Sequence, residues 1–224
     1  KDPDTQRLSG RVAHIALRPA LELGWRASRL AELREAAVLH DVGKIAVPDA
    51  ILTKPGRLTD DEFALVREHP SRGAEIVSGA LTAEQVSWVR GHHERHDGGG
   101  YPDGLAGEAV PDGARVMAVA DAWDAMTSDR PYRAGLSAPR ALEICRQEAG
   151  AQFAPEVVAA LGRLWEQGAV PHAEPEPEPV PSALVYRGAE TVPVARRDRR
   201  PAAAPGMVYR GTRVPEDEGP GAGG

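Results

Sequence analysis

Residues 82–102 read TAEQVSWVRGHHERHDGGGYP. Thr82 and Gln85 have the spacing of a capping box, in which a hydroxyl and an amide side chain satisfy the free backbone N–H groups at a helix start. The helix they open runs to the adjacent pair His92-His93. The chain then enters a loop, residues 94–111, with seven glycines and prolines. One helix, two imidazoles and an abrupt glycine-rich exit set the pattern of the chain. Histidines are metal ligands or proton carriers, and a glycine turn lets a backbone approach closely to something else. The pair acquires meaning only if other elements supply partners.

Toward the N-terminus the periodicity is helical throughout. Leu8, Val12, Ile15 and Ala16 recur at spacings of three and four between Thr5 and Leu23, and Gly24 is a fitting C-cap. A second helix is expected from Ser28 to His40, with Leu30, Leu33, Ala37 and Val38 on one side. Residues 44–58 hold Pro48, Pro55, Gly43 close by and Gly56, and read as an ordered loop. Thr59 and Glu62 form another capping box, opening a helix to His69 that Pro70 stops. Ser71 can cap a further helix to Ser78. Beyond the glycine loop a helix resumes near Asp112, with Val116, Val119, Ala120 and Trp123 along one face. Ser137 and Pro155 start two more, ending near Ala149 and Gly168. About eight helices and no alternating strand make residues 1–168 an all-α helical bundle.

Residues 169–224 change character. A PEPEPVP spacer leads into Pro, Gly, Ala, Arg and Glu with few large apolar side chains, too little surface to offset the entropy of ordering. This tail is expected to be disordered. It repeats one pattern, Val185-Tyr-Arg-Gly188 with Val192-Pro193, then Val208-Tyr-Arg-Gly211 with Val214-Pro215; low complexity is the plainer explanation, a pair of short docking motifs that form strands on a partner the sharper one.

The 27 basic and 33 acidic residues give a net charge of −6, so no basic field advertises DNA, RNA or a membrane surface. No apolar run approaches a membrane span and no secretory segment is visible. The one cysteine, Cys145, excludes a disulfide framework and lies in an apolar helical pattern, as a core thiol. A cytoplasmic setting is expected. The start at Lys1 rather than Met suggests a fragment or a processed chain. Nothing here speaks to oligomeric state.

Ligand-type residues fall at helix ends or on helices: His40-Asp41, His69, His92-His93 and Asp121. Singly each has an ordinary explanation. A histidine at a helix end is commonly a cap or a partner of the helix dipole, and His14, His96 and His172 belong to no motif and read as structural or exposed. Asp121 is harder to dismiss, since a carboxylate on an apolar helix face needs a partner. Taken together the set is too large for a single closed zinc site, which favours cysteine. Mixed nitrogen and oxygen donors suit two octahedral divalent ions such as iron or manganese, which together acidify a shared water and hold a phosphoryl oxygen.

With those residues in order, the chain resembles the HD-GYP domains, a branch of the HD metal-dependent phosphohydrolases. The likeness runs from about Asp2 to Leu161. It rests on His40-Asp41-Val-Gly-Lys44-Ile-Ala-Val-Pro48, His69-Pro70-xx-Gly73, His92-His93-Glu94-xx-Asp97-Gly-x-Gly100-Tyr101-Pro102, Val119-Ala120-Asp121, and Thr127-Ser-Asp-Arg130-Pro-Tyr-Arg133. The resemblance implies hydrolysis of cyclic dinucleotides, chiefly cyclic di-GMP to pGpG or GMP, by a metal-bound hydroxide in bacterial signalling. It implies His40, Asp41, His69, His92, His93 and Asp121 as ligands, with Asp41 bridging. Lys44 would neutralise the scissile phosphate, and Arg130 and Arg133 would contact phosphate or guanine unless they pair with Asp129 or Asp124. Gly100, Tyr101 and Pro102 would form the rim, with a further link to protein partners such as a diguanylate cyclase or an adaptor.

One position departs from the family. Its first helix usually carries a histidine ligand, where this chain has Leu8 in Leu8-Ser9-Gly10-Arg11-Val12. Where members with three ions carry a Glu, this chain has Asp4, one turn earlier on the same face and shorter. Two ions are expected; a third lacks its full ligand set. The alternative this departure raises is a degenerate domain that binds cyclic di-GMP, or docks a protein, without cleaving.

Overall fold

The structure, a computed structural model, describes residues 3–129, 134–169, 208–209 and 212–213. Among them are nine α-helices: α1 (Pro3–Glu22), α2 (Ala27–Leu39), α3 (Asp49–Leu52), α4 (Asp60–Arg67), α5 (His69–Val77), α6 (Ala83–Gly91), α7 (Asp112–Thr127), α8 (Ala138–Gln147) and α9 (Pro155–Glu166). All lie in one compact unit spanning residues 1–128 and 135–176, and a two-residue strand pair, Val208–Tyr209 with Thr212–Arg213, belongs to a second. That pair falls on the second of the two repeats; the first lies outside the described residues. Among the described residues no helix is long and apolar enough to cross a membrane.

Local chemistry sets the helix ends. Gly24 adopts a left-handed φ of 82°, and the N–H groups of Gly24 and Trp25 close onto Leu21 and Ala20 at 2.9 and 3.1 Å. This satisfies the last carbonyls of α1 in a Schellman motif. Both capping boxes form: Thr59 with Glu62 at the head of α4, Thr82 with Gln85 at the head of α6.

The core is the meeting of α1, α2, α6, α7, α8 and α9. Val12, Ile15, Ala16 and Ala20 of α1 pack with Leu33, Ala36 and Ala37 of α2, and with Val116, Val119, Ala120 and Trp123 of α7. Trp88 of α6 is wholly buried. Gly113 permits its place there: a Cβ at Gly113 would strike the indole ring. Cys145 is also in this core, and burial raises its thiol to about 12, which removes it as a nucleophile.

Three expectations need correction. Val38 is 43% exposed, and Ala36 takes its place in the core; five residues beyond Leu33, Val38 points away from the stripe that Leu33, Ala36 and Ala37 form. Residues 44–58 are less irregular than a loop, because a 3-10 turn occupies Val42–Ala46 and α3 follows Pro48; both are too short to leave a periodic signal. His69 does not end α4. The helix stops at Arg67, and His69 begins α5 with Pro70 in its first turn, where a missing N–H costs nothing.

This last junction positions the site. The 3-10 turn lies against α5 so closely that a Cβ on Gly43 would overlap the backbone of His69 and Gly73. Backbone meets backbone there because Gly43 carries no side chain, and Asp41, two residues before it, is carried up to His69. Gly43→Ala should therefore destabilise the chain by about 1–3 kcal/mol, as overpacking does. Gly10→Ala, in the exposed middle of α1 where a Cβ meets nothing within 4 Å, should instead stabilise it by about 0.5–1 kcal/mol. Urea unfolding of the two variants checks the opposite signs.

Candidate metal centre

Three histidines reach the site by one device. His40 and His92 are the C-cap residues of α2 and α6, and His69 follows α4. The last carbonyls of a helix lack intrahelical donors. Nδ1 of His40 lies 2.6 Å from Ala37 O, that of His69 is 2.7 Å from Val66 O, and that of His92 is 2.6 Å from Val89 O. A ring nitrogen that close to a carbonyl must donate. The proton of each neutral ring is thereby placed on Nδ1, and its lone pair on Nε2, turned inward. The capping explanation and the ligand explanation of these histidines are thus two ends of the same ring.

The inward ends converge on Asp41. Its Oδ1 is 3.2 Å from His69 Nε2, and its Oδ2 is 3.4 Å from His40 Nε2 and accepts from the Lys44 ammonium. His92 Nε2 is 3.4 Å from His69 Nε2. The rings of His69 and His93 are 5.0 Å apart, those of His92 and His93 4.1 Å. One ligand atom each from Asp41, His69, His92 and His93 all lie within 4.8 Å of one another. Asp121, half-buried on α7, stands outside that set of four and acts on His40 through its charge.

Two observations test whether these residues fit metal ions. The His69 and His92 Nε2 atoms are both lone-pair ends, so at 3.4 Å they repel unless a cation or a proton lies between them. His40 Nε2 is buried with no hydrogen-bond partner among the described residues, a costly condition for a polar atom. Both difficulties vanish with a cation among the rings. The donors are imidazole nitrogens and carboxylate oxygens without thiolate, a set that divalent ions take readily. The residues fit.

Electrostatics agree. Burial, then the neighbouring imidazoles of His40 and His69, which would repel a second proton, push His92 well below its ordinary 6.5. Burial also lowers His69, against an opposing pull from Asp41. Burial works the same way on His40, but the negative charges of Asp41 and Asp121 carry it upward overall. His69 and His92 are therefore kept neutral, as ligands must be.

The glycine loop forms the rim. Tyr101, whose bond to Pro102 is cis, lays its ring 5.0 Å from that of His93. Glu94, part of the His92-His93-Glu94 motif, organises the loop, a role the motif alone does not give it. Its buried carboxylate accepts from the N–H groups of Asp103 at 2.7 Å, Gly104 at 3.1 Å and Leu105 at 3.1 Å. The signal was present: a carboxylate beside two histidines, ahead of a loop whose amides need acceptors. Gly100 folds over it, since a Cβ there would strike the backbone of Glu94 and Arg95. Asp97 is held at about 2 by the Arg95 guanidinium, 2.7 Å away, and pins the start of the turn.

Among the other expected residues, Arg130 and Arg133 lie outside the described residues, as do the side chains of Asp4 and Leu8, whose backbone is part of α1. Asp124 is buried, 3.0 Å from Arg11 Nε and 3.0 Å from Ser128 Oγ. His14 is exposed and His96 half-buried; His172 falls outside the described residues.

A family model described as HD domain matches residues 1–157. The chain belongs to the HD-domain family, and its motifs are those of the HD-GYP branch. It is 42% identical over 167 residues to the cyclic di-GMP phosphodiesterase response regulator RpfG of Xanthomonas campestris, covering 73% of this chain and 44% of that protein. It is 49% identical over 149 residues to the cyclic di-GMP phosphodiesterase PA4108 of Pseudomonas aeruginosa, covering 66% and 35%. With 3'3'-cGAMP-specific phosphodiesterase 2 of Vibrio cholerae the identity is 35% over 162 residues, covering 70% and 31%. The chain thus spans less than half the length of these relatives. In fold it resembles Bd1817 of Bdellovibrio bacteriovorus, with a TM-score of 0.60, 19% identity, and coverage of 72% of this chain and 52% of that one.

The histidine environments predict a pH dependence in the metal-free chain. Unfolded, His69 and His92 titrate near 6.5; folded, they refuse the proton until lower pH. Below 6.5 the unfolded state binds more protons, so stability falls on acidification, by about 1.4 kcal/mol per pH unit for one wholly refused proton. His40, shifted upward, contributes in the opposite sense and offsets part of this. Urea unfolding of chelator-treated protein should show a net loss of stability from pH 7 to pH 5, reduced in His92→Gln. A flat or rising profile would contradict the neutral assignment.

Proposed function

We propose that this chain is a metal-dependent phosphodiesterase that hydrolyses cyclic di-GMP to pGpG or onward to GMP. The observation carrying the proposal is Asp41. Its two oxygens face different imidazoles, His40 and His69, while Lys44 donates to one of them; a carboxylate so placed suits a bridge between two ions with a cation alongside. The names of RpfG and PA4108 support the substrate. Those of the Vibrio cholerae cGAMP phosphodiesterases mark a hybrid cyclic dinucleotide as the nearest competitor.

In this reading His40, Asp41, His69, His92, His93 and Asp121 hold two divalent ions, with iron or manganese favoured by the mixed donors and absence of thiolate. A third ion would need Asp4 to stand in for a longer carboxylate, next to Leu8, which cannot coordinate. Such ions, when bound, acidify a water and take up charge on a phosphoryl oxygen. The chain's own residues do the rest. The carbonyls of Ala37, Val66 and Val89 fix the imidazoles before substrate arrives, so no reorganisation is spent during the reaction. Lys44 brings a positive charge to the edge of the cluster, where a non-bridging phosphoryl oxygen gains negative charge. Gly100, Tyr101 and Pro102, hung from Glu94, wall one side of the cluster, with the Tyr101 ring beside His93. Arg130 and Arg133 are kept as phosphate or guanine contacts. The catalytic unit ends near residue 168, and the tail is not needed for the chemistry.

The test is direct. Anaerobically prepared protein loaded with Fe²⁺ or Mn²⁺ should convert cyclic di-GMP to pGpG or GMP, followed by chromatography, and faster than it converts 3'3'-cGAMP. Asp41→Ala should lose both the bound metal and the activity. Full turnover by that variant would sink the mechanism, and tight binding of cyclic di-GMP by metal-loaded protein without turnover would make the domain a sensor.

A further inference from the structure

Arg67 is the last residue of α4, two before His69. Its guanidinium carbon lies 4.8 Å above the centre of the Tyr101 ring, and Tyr101 in turn lies 5.0 Å from His93. Metal-site imidazole, rim phenol and arginine thus follow one another outward from the cluster to an exposed residue. The side chain is on an exposed residue, and it makes no ion pair among the described residues. The neighbouring cations are committed: Arg90 is bidentate to Asp103 at 2.7 Å, Arg95 pairs with Asp97 at 2.7 Å, and Lys44 pairs with Asp41. Arg72 of α5 pairs with Glu75 and Glu68 at 3.4 and 3.6 Å.

A guanidinium resting on an aromatic face keeps its donor edges free, because the ring attracts the cation without accepting its N–H groups. Stacking also removes much of the rotamer freedom that a long side chain would otherwise lose on binding. The platform beneath is itself held: Tyr101 N donates to His93 O at 3.2 Å, Glu94 anchors the next three amides, and Arg90 ties Asp103 to Ser71 of α5 at 3.1 Å. An unspent, pre-oriented fork at the mouth of a phosphodiester site matches a phosphate in geometry and charge. The scissile phosphate belongs at the cluster, beside Lys44. A cyclic dinucleotide carries a second phosphate besides.

Resting on the phosphodiesterase reading above, we propose that Arg67, held over Tyr101, binds the phosphate that is not being cleaved, and so selects a cyclic dinucleotide over a simple phosphodiester. Arg67 is a substrate-binding residue in this account and takes no part in metal loading or proton transfer.

The experiment compares the wild-type chain with Arg67→Gln, both loaded with Mn²⁺, on cyclic di-GMP and on bis(p-nitrophenyl) phosphate, which has one phosphate only. Metal content and melting temperature are measured alongside. The expected result is a KM for cyclic di-GMP raised about tenfold, in line with the loss of one charge-assisted hydrogen-bonding group. Its kcat, the rate on bis(p-nitrophenyl) phosphate and the metal content should stay within about twofold of wild type. An unchanged KM would overturn the proposal. So would an equal loss on both substrates or a fall in metal content, since each would make Arg67 a structural prop for the rim. Wild-type protein that cleaves bis(p-nitrophenyl) phosphate but no cyclic dinucleotide would overturn the phosphodiesterase reading itself, a result separate from any effect of the substitution.

Discussion

Three hydrogen bonds from imidazole Nδ1 to a carbonyl three residues back carry the architecture of this site. Helices end with carbonyls that nothing inside the helix can satisfy. By ending α2, α4 and α6 around one point and placing a histidine at each end, the chain uses a problem of helix termination to fix three tautomers. The same three bonds direct three Nε2 lone pairs into a buried space. Such a space is unfavourable without a cation, as the His69–His92 contact and the His40 nitrogen, without a hydrogen bond among the described residues, attest. Stability and metal binding therefore pull against each other here, which is the usual condition of a site built ahead of its ligand.

The glycines decide how near those ends can come. Gly43 lets the turn after His40-Asp41 touch α5, Gly113 lets α6 and α7 close on Trp88, and Gly100 lets the rim fold onto Glu94. Each substitutes backbone contact for side-chain contact at a place where the site needs short distances. The rim is then held by Glu94 and by the Arg90–Asp103 pair rather than by a hydrophobic core. A loop fixed by polar bonds keeps its shape while leaving its outer face, Tyr101 and Arg67, open to a ligand.

Much of this was legible in the amino-acid order. Both capping boxes, the Gly24 terminator and the apolar stripes of α1 and α7 follow from local rules, and local rules sufficed. The ligand-type residues could be collected because each sits at a punctuation mark in the helical pattern. Other features depend on contacts distant in sequence. Arg11 with Asp124, and Arg67 over Tyr101, join residues that no periodicity relates. The junction at His69 misled for a physical reason: proline forbids continuing one helix and favours starting another, and the sequence alone does not say which side of His69 the break falls. The role of Glu94 was hidden because a surface carboxylate in a glycine loop is ordinary until its three amide partners fold around it.

Asp41 is the centre of the account, since it alone faces two imidazoles with separate oxygens. The most direct test is anomalous scattering from crystals grown with Mn²⁺. The account predicts two peaks flanking Asp41, each about 2.0–2.3 Å from one of its oxygens, one toward His40 and the other toward His69 and His92. A single peak coordinated away from Asp41, or none at saturating metal, would contradict it.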